Sequence, residues 1–194
     1  MLTGLKTLIK GSLIIKDDLG NLLLEKTNAV HPENMSISIA KALQGDAEGH
    51  IQEMHFGYGG SNVTGIGTIS YLPPKTTEID QDLYLPSYFK VVNQNSSLNT
   101  DPSKNNITVS HTVGTLYTDI LVKCTLEFNE PQGQQAFDTA INAEGEFVFD
   151  EIGLKSFDSI PGNGLLLTHV IFNPIQKSLN RQIEIEYTLR IQPC

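Results

Sequence analysis

The sequence predicts a mainly β protein, an antiparallel β-sandwich or barrel-like fold with one early α-helix near residues 32–44. Three observations carry this. The last fifty residues hold three strand-like runs, EFVFDEIGLKS from Glu146, GLLLTHVIFNPI from Gly164 and RQIEIEYTLRI from Arg181. Ile120, Val122, Cys124, Leu126 and Phe128 recur at every second position, the period of a strand with one buried face. Strands follow strands through turns and loops rather than alternating with helices, which favours a sandwich or barrel over βαβ units.

The elements follow in order. Residues 11–25 read as a hairpin, with Leu13 and Ile15 on one side and the Asp17-Asp18-Leu19-Gly20-Asn21 run supplying turn chemistry. Pro32 suits the first turn of a helix, His31 or Asn28 lies near its cap, and Glu33 complements the positive end of its dipole. Met35, Ile39, Ala40 and Leu43 have helical spacing and are expected to face the core; Gly45 ends the helix. Ile51 to Phe56 alternates as a strand and feeds a glycine-rich loop, GYGGSNVTGIG, after which Thr68 to Leu72 forms a short strand. Pro73-Pro74 breaks regular structure, residues 75–86 show no period, and Ser87 to Val92 reads as a strand.

Residues 93–106 form a polar stretch whose only large apolar residue is Leu98. Structureless loops beyond about 12–15 residues are uncommon in compact domains, so this one is expected to be functional or an ordered arm. Ile107 to Val113 and Leu116 to Phe128 then pair as a hairpin turned at Gly114. Between Pro131 and Ala143, Phe137, Ala140 and Ile141 have helical spacing over a turn or two. The expected organisation is one β-rich domain over 1–194, with an N-terminal arm (1–10) and a long loop (93–106).

At 194 residues the chain can bury roughly 70% of its unfolded surface, so it needs neither disulfides nor metal to fold. Its 39% hydrophobic and 18% charged composition is that of a soluble globular protein. A net charge of -9, with the 13 basic residues dispersed, argues against general nucleic-acid binding. No stretch approaches 18 apolar residues, and the N-terminus does not read as a secretory signal. Cys124 reads as a small core residue, and Cys194 at the terminus does not form a disulfide framework with it.

The motifs give no catalytic centre. Gly57, Gly59 and Gly60 follow a strand, but Asn62 stands where a dinucleotide fingerprint needs glycine and no helix can follow, so a flexible structural loop is expected. His50 and His55 fall on opposite sides of a strand and cannot share a metal without a bend, while His31, His111 and His169 are scattered. Asp150 and Glu151 are adjacent in a strand and are expected to face opposite ways, a poor acid–base pair. Cys124 has no neighbouring base in sequence to activate it. Catalytic, cofactor-binding and metal-ligating residues are therefore none. Strand edges, and an N-terminal arm carrying Leu2, Leu5, Leu8 and Ile9, are the better lead as contact surfaces.

The order NAVHPENMSISIAKAL, IQEMHFGYGGS, EIGLKS, GLLLTHVIFNPIQKS and IEIEYTLRI resembles small virion proteins of tailed bacteriophages, over residues 28–72 and 146–191. The shared features are an early helix, an F-G-x-G turn at Phe56 to Gly59, and an F-x-P-I-x-K-S step through Phe172, Pro174, Ile175, Lys177 and Ser178. A last strand follows that ends in Thr188-Leu189. The resemblance implies a non-enzymatic structural protein of the virion, made in the bacterial host cytoplasm. It would self-assemble or attach at the tail, neck, collar, baseplate or capsid. Its expected partners are other virion proteins and copies of itself, as a homo-oligomer in the particle, with no direct nucleic acid, no membrane and no cofactor. The alternatives are a capsid decoration protein, or a receptor- or carbohydrate-binding β module using Tyr58, Tyr71, Tyr84 and Tyr88. An enzyme on a β scaffold would require three or more histidines to converge with carboxylates.

Overall fold

The structure, a computed structural model, describes residues 6–63, 67–131, 148–178 and 181–193. It is mainly β: two five-stranded antiparallel sheets packed face to face. In the first sheet the order is β2 (Leu22–Thr27), β1 (Thr7–Asp17), β12 (Ile183–Pro193), β9 (Thr118–Leu126) and β8 (Asn106–Ser110). In the second it is β3 (Ala29–Val30), β11 (Leu166–Gln176), β10 (Val148–Ser156), β4 (Ile51–Gly57) and β7 (Pro86–Val91). β5 (Ser61–Val63) and β6 (Ile69–Tyr71) form a separate two-stranded ribbon.

The first sheet buries one face. Leu13 and Ile15 of β1, Val122, Cys124 and Leu126 of β9, and Ile183, Ile185, Tyr187 and Leu189 of β12 point into the core. Between them Lys16, Lys123, Glu186, Asp119 and Arg190 pair on the outer face. The second sheet buries both faces: nearly every residue of β4 and β10 is inaccessible. Met54, Phe56, Ile152, Leu154, Val170 and Phe172 meet the first sheet, and each such side chain contributes about 1.5–3 kcal/mol. Its other face lies beneath residues 72–85, which have no helix or strand, and beneath the loop 157–164.

The helix α1 spans Pro32–Gln44, as its Pro32 start and Gly45 stop predict. The His31 ring caps it by accepting from the Asn34 N–H, and Gly45 takes the left-handed conformation, φ 85°. The face it buries is shifted from the expected one, with Met35 buried and Ile39 packed against the core as predicted but Ala40 and Leu43 outside. Asn34, Met35 and Ser38 are inside, while Ala40 is exposed and Leu43 is 85% exposed. Polar anchoring sets this rotation: Asn34 donates to the Ile79 and Leu166 carbonyls, and Ser38 to that of Gly49.

Other expectations shift by a few residues. Of the N-terminal arm, Thr7 to Lys10 belong to β1 and pair with Arg190 to Pro193; residues 1–5 lie outside the described residues. β8 stops at Ser110 and β9 starts at Thr118, so the hairpin turn is longer than predicted. The spacing at 137–141, Glu146 and Cys194 also fall outside the described residues. Pro174 does not end its strand. Phe149 faces Ile175 and Glu151 faces Ile171, so Phe172, Asn173 and Pro174 lie in a bulge of β11, where proline costs no ladder bond.

Lys177 follows that bulge with its side chain fully buried, donating to the Phe128 and Ser178 carbonyls. Burial lowers its ammonium to about 8, against 10.5 for a free lysine. Between those values the unfolded chain holds a proton that the folded chain has released, so stability rises with pH. The Cys124 thiol, pushed up by burial to about 12 from 9, acts in the opposite direction above pH 9. The denaturation midpoint of the wild type is therefore expected to rise between pH 7.5 and 9. Lys177→Met is expected to flatten that rise; an unchanged slope in the variant would refute the assignment.

Candidate functional site

Two regions bear on function: a buried polar row on the covered face of the second sheet, and an apolar cleft at one end of the sandwich.

The row runs across neighbouring strands. Gly153 of β10 lies opposite His55 of β4 on one side and His169 of β11 on the other. His55 donates to Glu53 at 2.8 Å and stacks on Phe89, ring centroids 5.1 Å apart. His169 donates from Nε2 to Glu151 at 2.9 Å and accepts at Nδ1 from the Lys75 N–H. Beside them the buried Lys155 donates to Asp82 and to the Gly162 carbonyl. Glu53 in turn accepts from the Gly162 N–H. The row thus fastens the irregular cover to the sheet.

Glu151 is the most heavily used group in it. Its carboxylate accepts from the N–H groups of Gly59, Tyr84 and Leu85 as well as from His169. Burial acts to raise this carboxyl, but the bonds from His169, Leu85 and Tyr84 outweigh it and hold it below the ordinary range. Asp150, expected to point away, reaches the same loop and accepts from Gly60 N–H at 2.9 Å and Ser61 N–H at 2.7 Å. The irregular register between Phe149 and Glu151 breaks strict alternation here, which is why adjacent carboxylates converge.

The glycine-rich turn is accordingly packed rather than flexible. A Cβ on Gly57 would collide with the Glu151 carboxylate and come within 2.7 Å of the Leu85 carbonyl. One on Gly60 would come within 2.8 Å of Ile171. None of Gly57, Gly59 and Gly60 has positive φ, so these glycines serve close approach.

The histidines do not gather into one site. His55 and His169 share a face, His31 caps α1 and donates to the Glu78 carbonyl, and His50 and His111 are exposed. Among the described residues no group of three or more His, Cys, Asp or Glu is placed to hold a metal ion. Cys124 does have a cation near it, Lys90, but burial dominates and keeps the thiol protonated. The side chains of three of the four tyrosines are engaged, and Tyr58 is half-buried. Tyr71 donates to Asn173, Tyr84 to the Pro73 carbonyl beneath Lys75, Tyr88 packs on Phe56, and the Tyr58 N–H donates to Leu85. No described helix is long and apolar enough to cross a membrane.

The cleft lies between α1 and one end of the first sheet, with Ile51 at the start of β4 also lining it. Ile9, Ile191, Ile120 and Val109 form its floor, and Met35 and Ile39 of α1 its opposite wall; its volume is about 320 Å³. A wider groove along Thr7 to Gly11 continues from it under α1. The long loop supplies one rim through Asn93, Gln94 and Asn95. That loop is ordered by its own amides: Asn99 donates to the Asn93 and Asn105 carbonyls, and Asn105 to that of Asp101. Gln94 exchanges two bonds with Ile107 of β8, occupying the place of a further strand. Beyond the cleft the β8–β9 turn carries Val113, 93% exposed, and Leu116, 74% exposed. Sequence periodicity marks strands and misses this end, since it depends on how α1 sits against the first sheet.

Comparison with protein-family models, curated proteins and solved structures finds no match to the chain.

Two outcomes test the polar row. Glu151→Ala leaves the buried His169 and three partly buried N–H donors without their acceptor, and should cost about 3–5 kcal/mol in urea denaturation. Burial lowers the His55 imidazole below its usual 6.5, opposed by its bond to Glu53. The unfolded chain therefore binds the proton first, and stability present above pH 6.5 is lost as pH falls. His55→Gln should reduce that loss between pH 7 and 5.5; equal pH slopes would show that His55 does not contribute.

Proposed function

We propose that the chain is a non-enzymatic structural protein of a tailed-bacteriophage virion that assembles into, or attaches to, the tail, neck or collar. The observation that supports this best is the apolar end of the sandwich. Val109, Val113 and Leu116 stand exposed beside an open cleft, and contiguous exposed apolar surface marks contact with another protein. The ionisable groups of the buried row support the same reading, because each is held by a main-chain or side-chain partner that fixes the fold. The long loop and the start of β1 both border the cleft, so the segments expected to meet other chains lie beside it. Attachment to a capsid surface uses the same contact. The receptor- or carbohydrate-binding reading draws less support, since Tyr84 and Tyr88 are half-buried and turned to internal partners.

Native mass measurement of the full chain, alone and with purified particles, tests the proposal. An oligomer of fixed copy number, or a monomer that binds tail or capsid particles, is the expected result. A chain that stays monomeric, binds no particle and turns over a small molecule would sink it.

A further inference from the structure

We infer that a second copy of this chain occupies the apolar cleft, the β8–β9 turn of one copy seating between α1 and the first sheet of the other. This rests on the assembly reading and adds the surface and the partner. Three observations carry it.

The first is continuity. Val109 lines the cleft and lies on β8 directly before the turn that presents Val113 and Leu116. Knob and socket are therefore neighbours on one end of the molecule, and a two-fold related copy brings both into one contact. The second is that the knob does not fill its own socket. Val113 and Leu116 remain exposed, while Ile39, Ile107 and Ile120 beside the opening are only partly covered.

The third is charge. Two copies each carrying -9 repel, and a contact between them is least opposed where surface charge is absent. Among the described residues no Asp, Glu, Lys or Arg lines the cleft, and residues 111–117 contain none. The turn of one copy and the cleft of another can therefore meet without adding to that repulsion, whereas a cationic partner finds no opposite charge there. A cationic protein would be drawn to the cover of the second sheet, where Glu78 and Asp80 are exposed near Asp82.

Sedimentation velocity of the full chain tests the inference. The wild type should self-associate, more tightly at higher salt as the repulsion is screened. Val113→Asp and Leu116→Asp should each weaken association at least tenfold. Leu19→Asp, at an 80% exposed position on the β1–β2 turn, should leave it unchanged. In a Cys194→Ser background, with Cys124 buried, a Leu116→Cys chain mixed with an Ile39→Cys chain should give a disulfide between the two. A wild type that is monomeric at every concentration, association unaffected by both aspartate variants, or no mixed disulfide would each overturn the inference. A monomer that still binds virion particles refutes this contact and leaves the assembly reading standing. A chain that dimerises through the turn yet binds no particle and turns over a small molecule refutes the assembly reading instead.

Discussion

A sheet buried on both faces has to be covered twice, and the second sheet is covered on one side by chain that has no regular structure of its own. Main chain in that state brings unpaired N–H groups against a hydrophobic layer. The Glu151 carboxylate answers this need. It gathers the N–H groups of Gly59, Tyr84 and Leu85 at one point and orients His169, which in turn accepts from Lys75. Two glycines follow from it, since side chains at Gly57 or Gly59 would occupy the space that this closeness requires. The carboxylates and histidines of this row thereby fasten the cover to the sheet.

The two sheets meet at their far edge by a similar substitution of side chain for ladder. β8 pairs with β9 only as far as Lys123, so the N–H and carbonyl of Thr125 lack a strand partner. Asn105 accepts from the former, and the buried Lys90 donates to the latter while pairing with Glu130. A lysine from one sheet thereby closes the gap at the edge of the other, and the loop between β7 and β8 is held in place at both ends.

The parts of the fold that depend on local pattern were legible in the sequence. The helix follows from Pro32 and Gly45, the first hairpin from its Asp-Asp-Leu-Gly-Asn turn, and the last strand from its alternation. The double burial of β10 and β11 goes beyond that reading, since a strand-like run by itself predicts one covered face. The rotation of α1 was not legible, because Asn34 and Ser38 are polar and their carbonyl partners come from residues 79, 166 and 49. Nor was the convergence of Asp150 and Glu151, which depends on a register break set by a proline-containing bulge in the next strand. The cleft depends on how α1 sits against the first sheet, a relation no single strand carries.

Gln94 gives the fold a boundary whose effect reaches beyond one molecule. Its amide takes up both the donor and the acceptor that Ile107 would otherwise offer outward. On the opposite margin Glu25 and Lys26 stand exposed on β2. Lateral fusion of first sheets into a continuous cross-chain ribbon is therefore obstructed on both flanks. An array built on the inferred contact would instead grow from the end of the sandwich, with strands running along the direction of stacking.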